Sequence, residues 1–80
     1  MQQYFFTRHT EKGEYHIFPV RFQEAKGLVH VQRRSVCGVA EKKNSQKKGK
    51  IGDENRMRYL GYLYGRVVCG NCMRHFYKLL

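Results

Sequence analysis

Two cysteines that lie close together, Cys69 and Cys72, form the clearest chemical pattern in the chain. A Cys-x-x-Cys turn can bring two thiolates to one metal ion at about 2.3 Å and aim backbone N–H groups at the sulfurs. Gly70 and Asn71 lie between the cysteines, and both residue types tolerate such a turn. A tetrahedral zinc site has four ligands, so the pair predicts two more ligands elsewhere in the chain.

The third cysteine, Cys37, stands in a Val-Cys-Gly sequence like that around Cys69. We expect it to form the second half of the zinc site, with a histidine as the fourth ligand. His30 is the preferred histidine, because it lies seven residues before Cys37 on an apolar stretch that can fold back at residues 32–34.

Several alternatives remain open for the fourth ligand. His75 falls three residues after Cys72, so a helix would return its ring to the side on which Cys72 lies. Any neutral imidazole within reach can bind zinc. The further alternatives are His16, His9, a water molecule or a residue of a partner.

Catalytic uses of the cysteines fit less well. A strand, a Cys-x-x-Cys motif and a helix also describe a thioredoxin-like redox site, but 80 residues leave no room for the accompanying βαβ layout and Cys37 would have no role. Three thiolates would reduce the Lewis acidity of zinc, and a complete ligand set leaves no open position. We therefore predict one structural Zn²⁺, no enzyme activity and no small-molecule substrate.

The length of the chain also favours a structural metal. We expect a single zinc-binding domain over residues 1–80, and a core of this size leaves only a few kcal/mol of net stability. A structural zinc adds on the order of 10 kcal/mol of apparent binding free energy. The odd number of cysteines, the lack of a secretory apolar segment and the lack of a bilayer-spanning run predict a cytoplasmic protein with no membrane partner.

The chain is strongly basic, with 16 Lys and Arg against 6 Asp and Glu and a net charge of +10. Such a charge attracts polyanions; nucleic acid, either DNA or RNA, is the preferred partner and an acidic protein is the alternative. Arginines can bind phosphates through two parallel hydrogen bonds, and basic residues mixed with tyrosines suit phosphate contacts and base stacking. The residues predicted to contact nucleic acid are Arg33, Arg34, Lys42, Lys43, Lys47, Lys48, Lys50, Arg56, Arg58 and Arg66.

A Lys-rich segment at about 41–52 has no apolar residue before Ile51 and is predicted to be a flexible loop. It cannot bury enough surface to offset its ordering entropy, and each of its lysines could neutralise a backbone phosphate. The alternatives are a solubilising insertion for this loop, a solvated turn for Arg33 and Arg34, and a half-buried core for the tyrosines.

Residues 2–8 and 15–22 are predicted to form an N-terminal β-hairpin around the polar residues 10–14, and the second segment has the alternation of a pleated strand. Residues 28–39 are expected to carry the first zinc half-site as a strand, a corner and a return. For residues 53–64, an N-capping aspartate and helical spacing favour a helix. A strand is the alternative, because this segment is rich in aromatic residues and has an interior glycine.

A short strand at residues 66–68 is expected to enter the second half-site, and a short helix over 73–80 is expected to follow it. Together these elements make a small α+β domain, stabilised by zinc, with an N-terminal β-hairpin, two zinc half-sites and a short C-terminal helix.

The Cys37-Gly38 pair, followed after a long gap by Val68-Cys69-x-x-Cys72-x-Arg74, resembles small single-zinc proteins of bacterial and phage origin. In those proteins one histidine and three cysteines close one site. The resemblance covers residues 30–78 and implies that His30, Cys37, Cys69 and Cys72 are the ligands. It also implies an accessory or regulatory role rather than catalysis.

The Lys-rich loop and the aromatic hairpin depart from that pattern, so the resemblance does not extend to the partner. From the residues we expect a small basic regulatory protein that binds nucleic acid through the loop and its Arg and Tyr faces. The alternative is a protein-interaction module, an inhibitor or adaptor of phage origin that docks on an acidic host protein.

Overall fold

A four-stranded antiparallel sheet in the order β3-β2-β1-β4 forms the centre of the fold. It is seen in a computed structural model that describes residues 2–23 and 28–77. The strands are β1 (Gln3–His9), β2 (Tyr15–Gln23), β3 (Leu28–Val31) and β4 (Ser45–Gly52), and the helices are α1 (Glu54–Tyr64) and α2 (Gly70–Arg74). Short 3-10 turns lie at Lys42–Asn44 and Gly65–Val67. The predicted α+β class is confirmed.

The N-terminal hairpin is confirmed, and its aromatic residues form core on both faces of the sheet. β1 and β2 pair with Phe5 opposite Phe18 and Phe6 opposite Ile17. Because side chains alternate along a strand, one face packs under α1 and the other under the segment that follows β3. The buried residues of the first face are Tyr4, Phe6, Ile17, Met57, Leu60, Val68, Cys69, Cys72 and Phe76. Those of the second are Phe5, Phe18, Val20 and Ala40.

The prediction of a loop over the whole of 41–52 is wrong, because residues 45–52 form the edge strand β4 beside β1. Backbone pairing supports this strand, and the Thr7 hydroxyl lies 2.8 Å from the carbonyl oxygens of both Gln46 and Lys48. An edge strand can leave its side chains in water, so it needs no apolar residues of its own. Lysines on such an edge also discourage pairing with other chains.

The predicted helix over 53–64 is confirmed as α1. The Asp53 side chain accepts a hydrogen bond from the Arg56 amide at 2.9 Å, as an N-cap does, and Gly65 ends the helix with a φ of +60°. The interior glycine lies against the C-terminal segment, since a Cβ on Gly61 would meet the flexible side chain of Met73. Gly61 therefore lets the C-terminal segment pack closely on α1.

The strand predicted at residues 66–68 is wrong. Residues 65–67 form a 3-10 turn, and only Val68 bridges to β2, opposite Tyr15. The short C-terminal helix is present but begins earlier than predicted, at Gly70, and ends at Arg74. The helix therefore starts between the two cysteines of the Cys-x-x-Cys motif. Residues 78–80 of the predicted helix lie outside the described residues.

Candidate metal centre

The first residues of β2 hold the two cysteine-bearing segments together. The amide of Cys69 donates to the carbonyl of Tyr15 at 2.8 Å, and the amide of Val36 donates to the carbonyl of Ile17 at 2.7 Å. These two carbonyls flank His16 on the strand. The turn around Cys37 and the Cys69–Cys72 turn are therefore fixed on either side of one histidine.

Four side chains meet at this point, namely His16, Cys37, Cys69 and Cys72, and their ligand atoms all lie within 4.8 Å of one another. His16 Nδ1 is 3.7 Å from Cys72 Sγ and 3.8 Å from Cys37 Sγ. Tetrahedral zinc with ordinary Zn–S and Zn–N bonds would separate a sulfur from a nitrogen by about 3.6 Å. The four residues form a possible site for a single metal ion, and its two measured nitrogen–sulfur distances are close to those of a tetrahedral site.

The site is closed on most sides. Cys72 is 0% exposed and His16 is 6% exposed, while Cys69 is also buried. Cys37 is half-buried and provides the side nearest to solvent. Four buried or half-buried donor side chains match the number of protein ligands that a tetrahedral metal site requires.

The ring of His16 is oriented for metal binding through Nδ1. Its other nitrogen, Nε2, lies 3.1 Å from the Glu14 carboxylate. An Nε2–H that donates to Glu14 leaves the lone pair of Nδ1 facing the sulfurs. A carboxylate that orients a ligating histidine in this way is common around protein zinc sites, where it raises the basicity of the imidazole.

Hydrogen bonds to the Cys37 sulfur stabilise its negatively charged thiolate, which is the form that binds a cation. Burial tends to raise the pKa of Cys37, but hydrogen bonds from the Ser35 hydroxyl, at 2.9 Å, and from the amides of Val39 and Ala40 lower that pKa to about 6. A pKa lowered in this way favours the thiolate form of Cys37 at neutral pH.

The pKa of Cys72 is raised, first by its burial and then by the charges of Cys69 and Cys37, although the Ile17 amide donates to its sulfur at 3.5 Å. Neighbouring buried thiolates repel each other, so all three sulfurs can ionise together only when a cation lies between them. The donor set thus fits a soft divalent metal and fits a metal-free core poorly.

The structure brings together Cys37, Cys69 and Cys72 as predicted, but the histidine that lies beside them is His16 and not His30. His30 is exposed on β3 and pairs with Arg21 of β2. Arg21 lies five residues from His16 along β2, or roughly 16 Å in an extended strand. β3 pairs with the far half of β2, and this register carries His30 away from the thiols.

The alternative ligand, His75, is also outside the cluster. It is exposed after the end of α2, with its ring 5.2 Å from that of Phe76. A signal for His16 was present in the sequence, because it lies on the same face of β2 as the buried residues Phe18 and Val20. A histidine aligned with core positions needs a polar partner, and the metal cluster supplies one.

The basic residues predicted to contact nucleic acid fall into three groups. Arg33, Arg34, Lys42 and Lys43 line one surface cavity together with Glu41. Three lysines lie on β4, namely Lys47, Lys48 and Lys50, and all are exposed. Arg56 and Arg58 lie on α1, and Arg66 lies in the 3-10 turn that follows it.

Arg58 differs from the other residues of this set because its guanidinium is held by hydrogen bonds to two other groups of the protein. It donates to the carbonyl of Phe76 at 3.0 Å and to the Glu54 carboxylate at 2.8 Å. These bonds tie α1 to the end of the described chain. A structural role therefore accounts for Arg58 without a phosphate contact.

No known protein family matches the chain, and no curated protein or solved structure matches it significantly. What supports the resemblance to single-zinc proteins is therefore the possible metal site alone, which contains His16 in place of the expected His30. Across residues 2–23 and 28–77, no helix is long and apolar enough to cross a membrane.

Proposed function

We propose that this chain is a small zinc-stabilised accessory protein that binds nucleic acid and has no catalytic activity of its own. Zinc is the metal that best suits one imidazole and three thiolates in tetrahedral spacing. The ion would join the start of β2 to two segments that are distant in sequence, as the hydrogen bonds of Tyr15 and Ile17 already do.

The observation that carries the nucleic-acid part of the proposal is the cavity lined by Arg33, Arg34, Lys42 and Lys43. Two basic pairs that are separated in sequence lie side by side there, because the Lys42 amide donates to the Arg33 carbonyl at 2.8 Å and Arg34 pairs with Glu41. Clustered guanidinium and ammonium groups around a concave surface of about 290 Å³ suit a phosphate of a polyanion.

Acidic groups neutralise only part of this cluster. The Glu41 carboxylate lies 3.3 Å from the Lys43 ammonium, and both side chains are exposed. Among the described residues, this is the one ion pair within the cavity lining. The charges of Arg33, Arg34 and Lys42 thus remain available for a ligand. The residues of this cavity and the lysines of β4 therefore form two exposed surfaces that carry much of the net charge of +10.

The slope of binding affinity against salt tests this proposal. Binding of a mixed-sequence oligonucleotide is measured over a range of salt concentrations for the parent protein, for Arg33→Gln/Arg34→Gln and for Lys12→Gln/Arg74→Gln. Both double variants lose two positive charges, but Lys12 and Arg74 are exposed residues outside the cavity.

Each lost phosphate contact should lower the slope of log affinity against log salt by about 0.7 to 0.9. The arginine variant should therefore lose roughly 1.4 to 1.8, while the control variant should keep the parent slope. Equal slopes in the two variants would reject the cavity as the binding surface. A parent protein that binds neither DNA nor RNA at low salt would reject nucleic-acid binding altogether.

One observation favours the alternative of a protein-interaction module. The outer side of α1 exposes Tyr59, Tyr62 and Leu63, and Tyr62 is 85% exposed. Exposed aromatic and aliphatic side chains on one helix are typical of protein interfaces. Tyr62→Ser/Leu63→Ser should abolish capture of an acidic protein and leave oligonucleotide binding unchanged, so this variant distinguishes the two functions.

A further inference from the structure

We propose that the cleft between β4 and the C-terminal end of α1 is a stacking site for an unpaired nucleobase, so that the preferred ligand is a single strand. This inference rests on the proposed nucleic-acid function and names its substrate class. The cleft has a volume of about 260 Å³. Its aromatic walls are Phe6, Tyr15 and Tyr64, and its basic rim is Lys48 and Lys50.

The three aromatic rings form one continuous group. Phe6 and Tyr15 stack with ring centroids 4.8 Å apart and planes within 10° of parallel. Tyr64 lies 5.0 Å from Phe6 and 4.9 Å from Tyr15, at steep angles to both. Phe6 is buried and supports the group, whereas the two tyrosines are only half-buried and present ring surface to the cleft.

A lysine already lies against one of these rings. The Lys50 ammonium is 5.9 Å from the centroid of Tyr64, in a cation–π contact. At an exposed site such a contact is weak, so a flat base can displace the ammonium group from the ring. The displaced lysine would then reach the phosphate next to the bound base.

Lys48 extends the same basic rim. Because side chains alternate along β4, Lys48 and Lys50 point to the same side, roughly 7 Å apart along the strand. Two cations in line beside an aromatic wall match a nucleic-acid backbone that runs along the rim with a base turned inward. This combination of a charged path and a stacking surface is how sequence-tolerant single-strand binders work.

The aromatic wall explains why the ligand should be single-stranded. In a duplex, both faces of each base are covered by neighbouring bases, and proteins contact its edges and phosphates. An unpaired base can turn out of the strand and offer its face to a tyrosine. Among the described residues, the lining of the cavity at Arg33 and Arg34 includes no aromatic side chain, so this cavity would serve either form of nucleic acid.

The experiment compares fluorescence anisotropy of labelled single strands, as DNA and as RNA, with that of a duplex of the same sequence. Tyr64→Leu removes the ring face from the cleft, and Tyr62→Leu is the matched control because Tyr62 lies on the same helix but outside the cleft. Tyr64→Leu should weaken single-strand binding by about 5- to 150-fold at every salt concentration without changing the salt slope. Duplex binding by Tyr64→Leu, and single-strand binding by Tyr62→Leu, should equal those of the parent.

A second measurement uses the parent protein alone and keeps the inference testable if Tyr64→Leu does not fold. A single strand whose bases are replaced by abasic sites keeps every phosphate and should bind at least 5-fold more weakly than the normal strand. A loss seen with both DNA and RNA would show that the base ring is recognised, and a loss with one alone would show that its sugar is recognised as well.

The stacking site would be overturned if abasic and normal strands bound equally, or if the duplex bound as tightly as the single strand. Those results would leave the proposed function standing, provided that Arg33→Gln/Arg34→Gln still lowered the salt slope. A failure of every nucleic acid to bind the parent protein would instead overturn both the site and the function.

Discussion

Replacing His16 by Gln should remove the fourth zinc ligand and destabilise the whole domain. A structural zinc has an apparent binding free energy of about 10–16 kcal/mol, so one of four ligands contributes roughly 2.5–4 kcal/mol. The net stability of an 80-residue protein is about 4–12 kcal/mol. The loss is therefore a large fraction of the total, and the melting temperature should fall by roughly 10–30 °C.

The assay pairs zinc stoichiometry with thermal unfolding. Native mass spectrometry counts the bound zinc, and circular dichroism in the presence of excess zinc gives the melting temperature. Cobalt provides a third measurement, because the absorption bands of a cobalt–thiolate site change when an imidazole ligand is lost. The matched controls are His30→Gln and His75→Gln, since both histidines are exposed and lie outside the cluster.

We expect both control variants to bind one zinc ion and to melt within a few degrees of the parent, because exposed substitutions change stability by about 0.5 kcal/mol or less. The reasoning would be refuted if His30→Gln lost zinc while His16→Gln retained it. It would also be refuted if His16→Gln bound zinc and melted like the parent, since the buried imidazole would then have no role at the metal.

Three further predictions concern the surroundings of the site. Glu14→Gln should weaken zinc binding by about 10- to 100-fold in a chelator competition, because a charged partner is removed from the His16 ring; an unchanged affinity would contradict the orienting role. In the zinc-free protein, Cys37 should be the first cysteine alkylated by iodoacetamide, at a rate that rises with pH through about 6 and then levels off, because its pKa is lowered to about 6. Peptide mass spectrometry determines the order in which the cysteines are alkylated, and added zinc should suppress the alkylation. Faster alkylation of Cys72 than of Cys37 would contradict the burial of Cys72. Gly49→Ala should lower the melting temperature, because its Cβ would collide with the Phe6 carbonyl and the Phe5 ring, whereas Gly70→Ala, whose Cβ would meet nothing within 4 Å, should not; equal melting would show that β4 is not held against β1.

Local patterns predicted those elements whose signals lie within a few consecutive residues. The hairpin follows from the aromatic run in residues 2–8 and the alternation in residues 15–22, and α1 follows from its N-cap Asp53 and its helical spacing. The Cys69–Cys72 turn is equally local. In each case the residues that form the structure are also the residues that carry the pattern.

The elements that were missed depend on contacts between distant segments. β4 has almost no apolar residues, and it is ordered because β1 offers it backbone partners along residues 4–7 and, after a shift in register, at His9. The choice between His16 and His30 depends on where β3 pairs along β2, and this register involves residues 28–31 against 20–23. Neither pairing can be predicted from the amino-acid composition of the strand that it stabilises.

The same distant contacts link the metal centre to the basic cavity. Cys37 and the turn that holds it lie between Arg33–Arg34 and Lys42–Lys43, and the Ser35 amide donates to the carbonyl of Ala40 at 3.0 Å to close that turn. The Ser35 hydroxyl also lies 2.9 Å from the Cys37 sulfur, so the closing residue contacts both the backbone of the turn and the metal ligand. A metal on Cys37 would therefore stabilise the arrangement that brings the two basic pairs together, because loosening the turn would separate them. A metal at this site would thus contribute to the proposed function by fixing the shape of a charged surface, without any contact between the metal and the nucleic acid.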